Sequence, residues 1–330
     1  MDVKPLLNVE NLHVYFKVYE GILRVLEGVN LEVRPGEKVG LIGEAGCGKT
    51  TTMKSILRIL ETNAILPDVN PASRVLFEGE DILKIEEEKV QGIRRGKISM
   101  IFQDPTAALN PVFKIGTQLG DVIRYARLAR GQSISKNEIR SIAIDALKEV
   151  ALADPDRILE SYPVMLSGGM RQRVCIAMAL VCAGKMLIAD EPGTSLDVTI
   201  QDQVLRLLGN LVKERGTSII LISHALGAVR GLVDRVYTMY AGYMVEVAKT
   251  EDFFRKQLHP YSICLVAANP KMTGGGIPDG VPGRIPSYVD PPSGCRFHPR
   301  CEHAMQVCRT TRPEFYDAGS QHKVACYLYR

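Results

Sequence analysis

Apolar and polar positions alternate over residues 8–34, with Val9, Leu12, Val14 and Phe16 followed by Val25, Val29, Leu31 and Val33. That near-twofold period predicts strands with one buried face. Pro35 and Gly36 mark a turn. Residues 39–42, Val-Gly-Leu-Ile, form an unbroken apolar run and predict a buried strand. Met53, Ile56, Leu57 and Leu60 then fall at i, i+3, i+4 and i+7, one face of a helix. Residues 63–73, with Pro67 and Pro71, read as a loop, and Arg74–Phe77 as a strand followed by a turn over 78–81. A further strand is predicted over 98–102, ending at Gln103 before the Asp104–Pro105 break. From about 114 to 159 the spacing turns helical, through Leu119, Val122, Ile123 and Ala126 and then Ile139, Ile142, Ala146, Leu147 and Val150. Buried strands return at 186–189 and 218–223. The pattern is that of an α/β chain with a helical insert.

Composition narrows the class. The chain has 330 residues, enough for two or more lobes. Its 46% hydrophobic and 24% charged residues are ordinary for a folded globular protein. A net charge of +4 is too weak to point to nucleic acid. No apolar run approaches the roughly 18 residues of a bilayer span, and the first residues lack a signal-peptide pattern. A cytoplasmic chain is expected, in which the eight cysteines are thiols or metal ligands rather than disulfides.

Candidate chemistry concentrates at Gly43-Glu44-Ala45-Gly46-Cys47-Gly48-Lys49-Thr50-Thr51, which fits the phosphate-loop pattern G-x-x-x-x-G-K-[ST]. The flanking strand and helix matter as much as the letters. A strand feeding a Gly-rich turn and a helix aims backbone N–H groups and the positive helix end at one spot. Gly43, Gly46 and Gly48 let an anion approach the backbone, Lys49 can reach the β- and γ-phosphates, and the Thr50 hydroxyl can ligate Mg²⁺. Tyr15, Phe16 and Tyr19 precede this loop, and any one of them could stack on a base. Ser167-Gly168-Gly169 opens another helical stretch, either as a plain N-cap or as a second anion site. Asp190 and Glu191 end the strand at 186–189, where Mg²⁺ and an attacking water need carboxylates. His224 directly follows the strand at 218–223, at the end where open α/β sheets place ligands.

In this order the motifs, with Leu166-Ser167-Gly168-Gly169 between the loop and Asp190-Glu191, resemble the nucleotide-binding subunit of an ABC transporter over roughly residues 8–250. The resemblance implies a P-loop NTPase ABC ATPase core over 1–250, with an N-terminal antiparallel β subdomain and a helical subdomain at about 104–180. It implies ATP with Mg²⁺ as ligands. Phe16 is then the adenine-stacking aromatic, with Tyr19 as the alternative, and residues 43–51 hold the triphosphate. Thr50, Gln103 and Asp190 serve Mg²⁺, with Gln103 also on the attacking water. Glu191 is the general base, His224 contacts the γ-phosphate, and Asp197 sits in a loop at a dimer interface. Ser167, Gly168 and Gly169 clamp the ATP of a second subunit, which accounts for two phosphate-binding elements about 120 residues apart in one chain. Gly193 stands where the family commonly has Thr.

Residues 251–330 lie outside that core. Cys295, Cys301, Cys308 and Cys326 fall there with spacing C-x5-C-x6-C-x17-C, which favours a Cys₄ metal site. Spacing alone does not choose the metal: structural zinc prefers tighter pairs, and iron–sulfur clusters are held by four cysteines as well. The run from His259-Pro260-Tyr261 through a Gly/Pro-rich stretch to Gly294-Cys295 and Pro299-Arg300-Cys301 resembles the C-terminal extension of the oligopeptide/dipeptide/nickel importer ATPases. Some of these carry a [4Fe–4S] cluster on four such cysteines, so the resemblance implies that cluster, with Zn²⁺ as the alternative. It also implies partners: a second, paralogous ATPase subunit, two transmembrane permease subunits and, indirectly, an extracellular substrate-binding protein. The chain is then peripheral to the cytoplasmic face of the membrane. Di- and oligopeptides are the implied cargo, with nickel, glutathione and oligosaccharides as alternatives. A non-transport ABC ATPase acting on nucleic acid or ribosomes is disfavoured, because one phosphate loop, one signature and no heptad array are present.

Overall fold

The alternation over residues 8–34 folds as a long antiparallel hairpin. In the computed structural model, which describes residues 4–65, 71–193, 196, 198–268, 280–319 and 321–330, the strands run along the chain as follows. They are β1 (Leu7–Val18), β2 (Gly21–Val33), β3 (Lys38–Ile42), β4 (Ala64–Ile65), β5 (Arg74–Phe77), β6 (Glu80–Asp81), β7 (Ile98–Ile101), β8 (Met186–Asp190), β9 (Ser218–Ile222), β10 (Arg235–Tyr240), β11 (Tyr243–Lys249), β12 (Tyr316–Asp317) and β13 (Lys323–Val324). They fall into two units, one of residues 1–34, 38–84 and 224–330 and the other of 35–37 and 85–223, each taken over its described residues.

In the first unit β1 and β2 pair from Leu7↔Val33 to Val18↔Gly21. Leu7, Val9, Leu12 and Val14 face inward with Leu26, Val29, Leu31 and Val33, so the sequence alternation is the core alternation. β5 continues this sheet on β1, β6 pairs β5, and β4 pairs the far end of β1. A second set of strands runs β12-β13-β11-β10-β3, antiparallel except for β3 against β10. β3 is buried from Val39 to its end, which is why it reads as a run rather than an alternation. The helix behind it, Lys49–Ile56, is shorter than the apolar spacing through Leu60 predicts. Leu57 is its C-cap, and Arg58 turns the chain at φ 50. Leu57 is nonetheless buried, so its apolar position reports packing rather than helix.

Residues 251–330 belong to this first unit. The tail carries few large apolar residues and packs through aromatics. Tyr261 and Phe297 join Tyr240 in one buried cluster, with ring centroids 4.6 and 5.1 Å from Tyr240. Such pairs are worth about 1 kcal/mol each beyond their burial. Arg296, wholly buried, stacks 4.6 Å over the Tyr243 ring, pairs with Glu27 at 2.6 Å and donates to the Ala241 carbonyl.

In the second unit β7, β8 and β9 are parallel, with β8 between its neighbours and every residue of β8 and β9 buried. The expected helical insert forms helices Ile115–Leu128, Lys136–Glu149 and Pro155–Glu160, followed by Gly168–Cys182. Ile115, Leu119, Ile123 and Ala126 make the buried face of the first, and Ile139, Ala143, Ala146 and Leu147 that of the second. Ser135 and Glu138 close a reciprocal capping box at the start of the second. Among the described residues no helix is long and apolar enough to cross a membrane.

Candidate nucleotide-binding site and cysteine cluster

β3 delivers the chain into the Gly-rich loop, and helix Lys49–Ile56 leaves it. Gly43 has φ 153, and a Cβ there would lie 2.2 Å from the Met239 carbonyl oxygen and 2.8 Å from Cys47 Sγ, so the position admits only glycine. Gly48, the N-cap, sits at φ 110 in the left-handed region. Gly46 is at φ 79 with open space beside it. Lys49 is buried and its Nζ donates to the carbonyls of Gly43 at 2.8 Å and Glu44 at 2.9 Å. Cys47 is buried beneath the loop, and that burial pushes its thiol pKa up against the opposing charge of Lys49. Thr50 and Thr51 occupy the first helical turn, both half-buried. A lysine ammonium and the first N–H groups of a helix thus gather at one glycine-lined turn, the requirements for holding a polyphosphate.

Contacts of this loop that sequence reasoning missed come from the tail. The Glu44 N–H donates to Tyr261 Oη at 2.7 Å, and the Arg300 guanidinium forks onto the Glu44 carboxylate at 2.9 and 3.0 Å. Tyr288 Oη donates to the Gly46 carbonyl at 2.7 Å; outside the tail, Gly242 N–H in the turn between β10 and β11 donates to the Cys47 carbonyl at 2.8 Å. No motif spacing signals them.

Among the aromatics, Phe16 is half-buried on β1, paired with Leu23 and Ala64. Tyr19 is fully exposed in the turn into β2. The Tyr15 hydroxyl is committed to the Glu27 carboxylate at 2.9 Å, and burial together with that bond pushes its pKa up to about 12. His224 is exposed, at the start of the segment that returns to the first unit.

In the second unit Asp190 ends β8 fully buried, and Glu191 follows, also buried. Glu191 holds φ 49, a left-handed conformation that costs a non-glycine residue on the order of 1 kcal/mol or more. Gln103 Nε2 donates to Glu191 Oε2 at 2.9 Å, joining residues 88 apart in sequence. A Cβ on Gly193 would lie 2.6 Å from Gln201 Cγ, so close packing explains glycine at this position. Ser167 N-caps helix Gly168–Cys182, its Oγ accepting the Met170 N–H at 3.3 Å. Ser167, Gly168 and Gly169 line an open cavity with Arg157, Arg173 and Leu196. Asp197 lies outside the described residues.

Cys295, Cys301, Cys308 and Cys326 line one cavity in the tail, beside Phe297 and His298. Among the described residues no group of three or more His, Cys, Asp or Glu side chains is arranged to hold a metal ion. Burial first, then the charge of the other cysteines, pushes the Cys295 thiol up to about 11 and raises Cys301 and Cys326 as well. In each of these three the backbone N–H two residues on opposes the shift: Phe297 for Cys295, His303 for Cys301 and Leu328 for Cys326. Cys47 and Cys175 are buried elsewhere, and Cys182 and Cys264 are half-buried.

A glycine-lined phosphate loop after a buried strand, a buried acidic pair ending another strand and a Ser-Gly-Gly helix start define an ATP-binding cassette. The ABC transporter family profile matches residues 26–194, and that of the oligopeptide/dipeptide transporter C-terminal region matches residues 245–308. The chain is 40% identical over 331 residues to the dipeptide transport ATP-binding protein DppD of Bacillus subtilis, covering 99% of this chain and 95% of that one. It is 41% identical over 309 residues to the oligopeptide transport ATP-binding protein OppD of Salmonella typhimurium, covering 93% and 89%. Among solved structures it resembles a dimeric ATP-binding cassette in a post-hydrolysis state bound to ADP and Pi, with TM-score 0.65 and 25% identity over 74% of this chain and 98% of that one. The chain belongs to the ATP-hydrolysing ABC transporter subunits, and within them to the ATP-binding subunits of the oligopeptide/dipeptide transporter family.

Proposed function

We propose that this chain is one half of an ATPase pair that drives import of di- and oligopeptides, the cargo named for its relatives. In this reading residues 43–51 hold the triphosphate of one ATP, with Phe16 on the adenine. Thr50, Gln103 and Asp190 serve Mg²⁺, Glu191 draws a proton from the attacking water, and His224 meets the γ-phosphate. Ser167, Gly168 and Gly169 close on the nucleotide of a paralogous subunit, with Asp197 at the joint between them. ATP binding then closes the pair, and product charge reopens it. Two permease subunits hold the pair at the cytoplasmic face of the membrane and take their cargo from an extracellular binding protein. Exposed apolar side chains in the second unit, among them Phe102, Val112, Phe113, Val164 and Met165, suit such a docking face.

The observation that carries the reading is the Gln103–Glu191 contact. A buried carboxylate at a strand end, in strained backbone and aimed by an amide donor, is the equipment of a positioned general base. Glu191→Gln keeps the shape and removes the base. Mg²⁺-dependent ATP turnover should fall by about 10²–10⁴-fold while ATP binding survives. Wild-type turnover would sink the assignment.

Four thiols line one cavity, and burial with the charge of neighbouring cysteines pushes up three of them, Cys295, Cys301 and Cys326, which favours ionisation only around a cation. With backbone N–H groups turned to three of the sulfurs, the set suits thiolate ligation, and we assign it a [4Fe–4S] cluster that fastens the tail. Zn²⁺ on the same four thiolates is the alternative. Anaerobically purified protein should be coloured and contain iron and sulfide. Colourless, zinc-loaded protein overturns the cluster.

A further inference from the structure

The tail does more than fold beside the phosphate loop. Glu44, second residue of the loop, is held at three points. Its N–H donates to Tyr261 Oη, its carboxylate takes both arms of Arg300, and its carbonyl accepts Lys49 Nζ. A third tail residue, Tyr288, places its Oη on the Gly46 carbonyl at 2.7 Å and holds the crown of the turn. The Arg300 side chain is only 5% exposed against 25% for Glu44, so the arginine end of the pair is shielded from solvent. Its guanidinium lies 5.6 Å from the Tyr240 ring and 5.9 Å from that of Phe297, within the aromatic cluster that anchors the tail. Burial works against its charge, yet the bonds to Glu44 and Tyr240 keep the guanidinium firmly protonated. Bidentate Arg–carboxylate pairs are the geometrically specific kind, which lysine cannot reproduce.

We infer that Arg300 is a positioning residue for ATP, acting through Glu44 to hold the phosphate loop in its binding shape. The same contact seats the carbonyl on which Lys49 rests. ATP affinity is thereby set by the tail, some 250 residues downstream. The inference rests on the reading that residues 43–51 hold the triphosphate.

The test compares Arg300→Ala, Arg300→Lys, Glu44→Gln and the double variant Arg300→Ala/Glu44→Gln in the assembled transporter. Lys49→Ala serves as the control for the underlying reading. Arg300→Ala should raise KM for ATP about tenfold while kcat stays within about twofold. Arg300→Lys should recover part of the loss, and Glu44→Gln should fall between. The double variant should be no worse than Arg300→Ala alone, because each partner acts through the other. Additive effects, or a kcat loss at unchanged KM, overturn the inference. So does a Glu44→Gln variant that binds ATP more tightly, which would mean that Arg300 meets phosphate directly. If Arg300→Ala fails to fold, Arg300→Lys and Glu44→Gln carry the same comparison with the charge or the shape retained. Unchanged ATP binding in Lys49→Ala defeats the site reading itself. Loss there beside an unchanged KM in Arg300→Ala defeats only the inference.

Discussion

The two helix starts to which the proposed function assigns phosphate are built differently. The phosphate loop is closed. Lys49 and Cys47 are buried, Gly43 is pressed against the Met239 carbonyl, and the tail grips Glu44 and Gly46 from outside. The Ser167 helix start is open. Ser167 is exposed, spends its hydroxyl on its own helix, and fronts a cavity. A preformed, braced site can bind by itself, because the ordering cost is met in folding. An open one needs a second surface to exclude water before its N–H groups count for much. The contrast matches a division of labour in which the loop captures nucleotide and the signature reads it from across a joint.

The sharpest way to break this comparison is at the loop. Lys49→Ala should weaken ATP binding of the isolated chain by about 10–100-fold, measured by nucleotide titration. Equal binding would mean that the closed turn is not the capture site. Gly168→Asp is the counterpart at the open start. ATP binding to the isolated chain should stay within about twofold, while turnover of the assembled pair falls about tenfold or more, since a carboxylate faces incoming phosphate. A loss already present in the isolated chain would make the signature part of the capture site.

The smallest effect concerns acid. His259 is fully buried, and its Nδ1 accepts the N–H of Tyr261, the residue whose hydroxyl receives Glu44. Burial, opposed by Glu246, pushes its pKa down to about 4. The unfolded chain therefore binds the proton first, at about pH 6.5. Stability from His259 is present above that pH and is lost as pH falls from about 6.5 toward about 4. By about pH 5.5 the loss should be roughly 1.4 kcal/mol in urea unfolding of the chain, and His259→Gln should flatten that slope. An unchanged slope in the variant would show that other groups carry it.

Much of this was legible in the sequence, for local reasons. Strands β1, β2, β5, β8 and β9 and the helical insert follow from apolar spacing, and the phosphate loop and signature from short runs whose chemistry is local. Leu60 shows the limit: its helical spacing is real, but the helix ends at Ile56 because the chain turns at Arg58. Glu44 shows a deeper one. It occupies a position where the motif accepts any residue, and its partners stand 217 and 256 residues away. Glu191 stands out as a strand-end carboxylate and Gln103 through the resemblance, but only folding joins the two across 88 residues of sequence. A boundary at residue 250 follows from the resemblance, whereas the unit that a segment joins is decided by contacts.

The distance between Glu44 and Arg300 also orders events during synthesis. The loop leaves the ribosome 256 residues before the arginine that grips it. At about 5–20 residues per second, that is roughly ten to fifty seconds in which the nascent loop exists without its outer hold. A chain cut short before Cys295 would carry every ATP motif and still lack the clasp, so truncation should yield a poor nucleotide binder rather than a minimal enzyme.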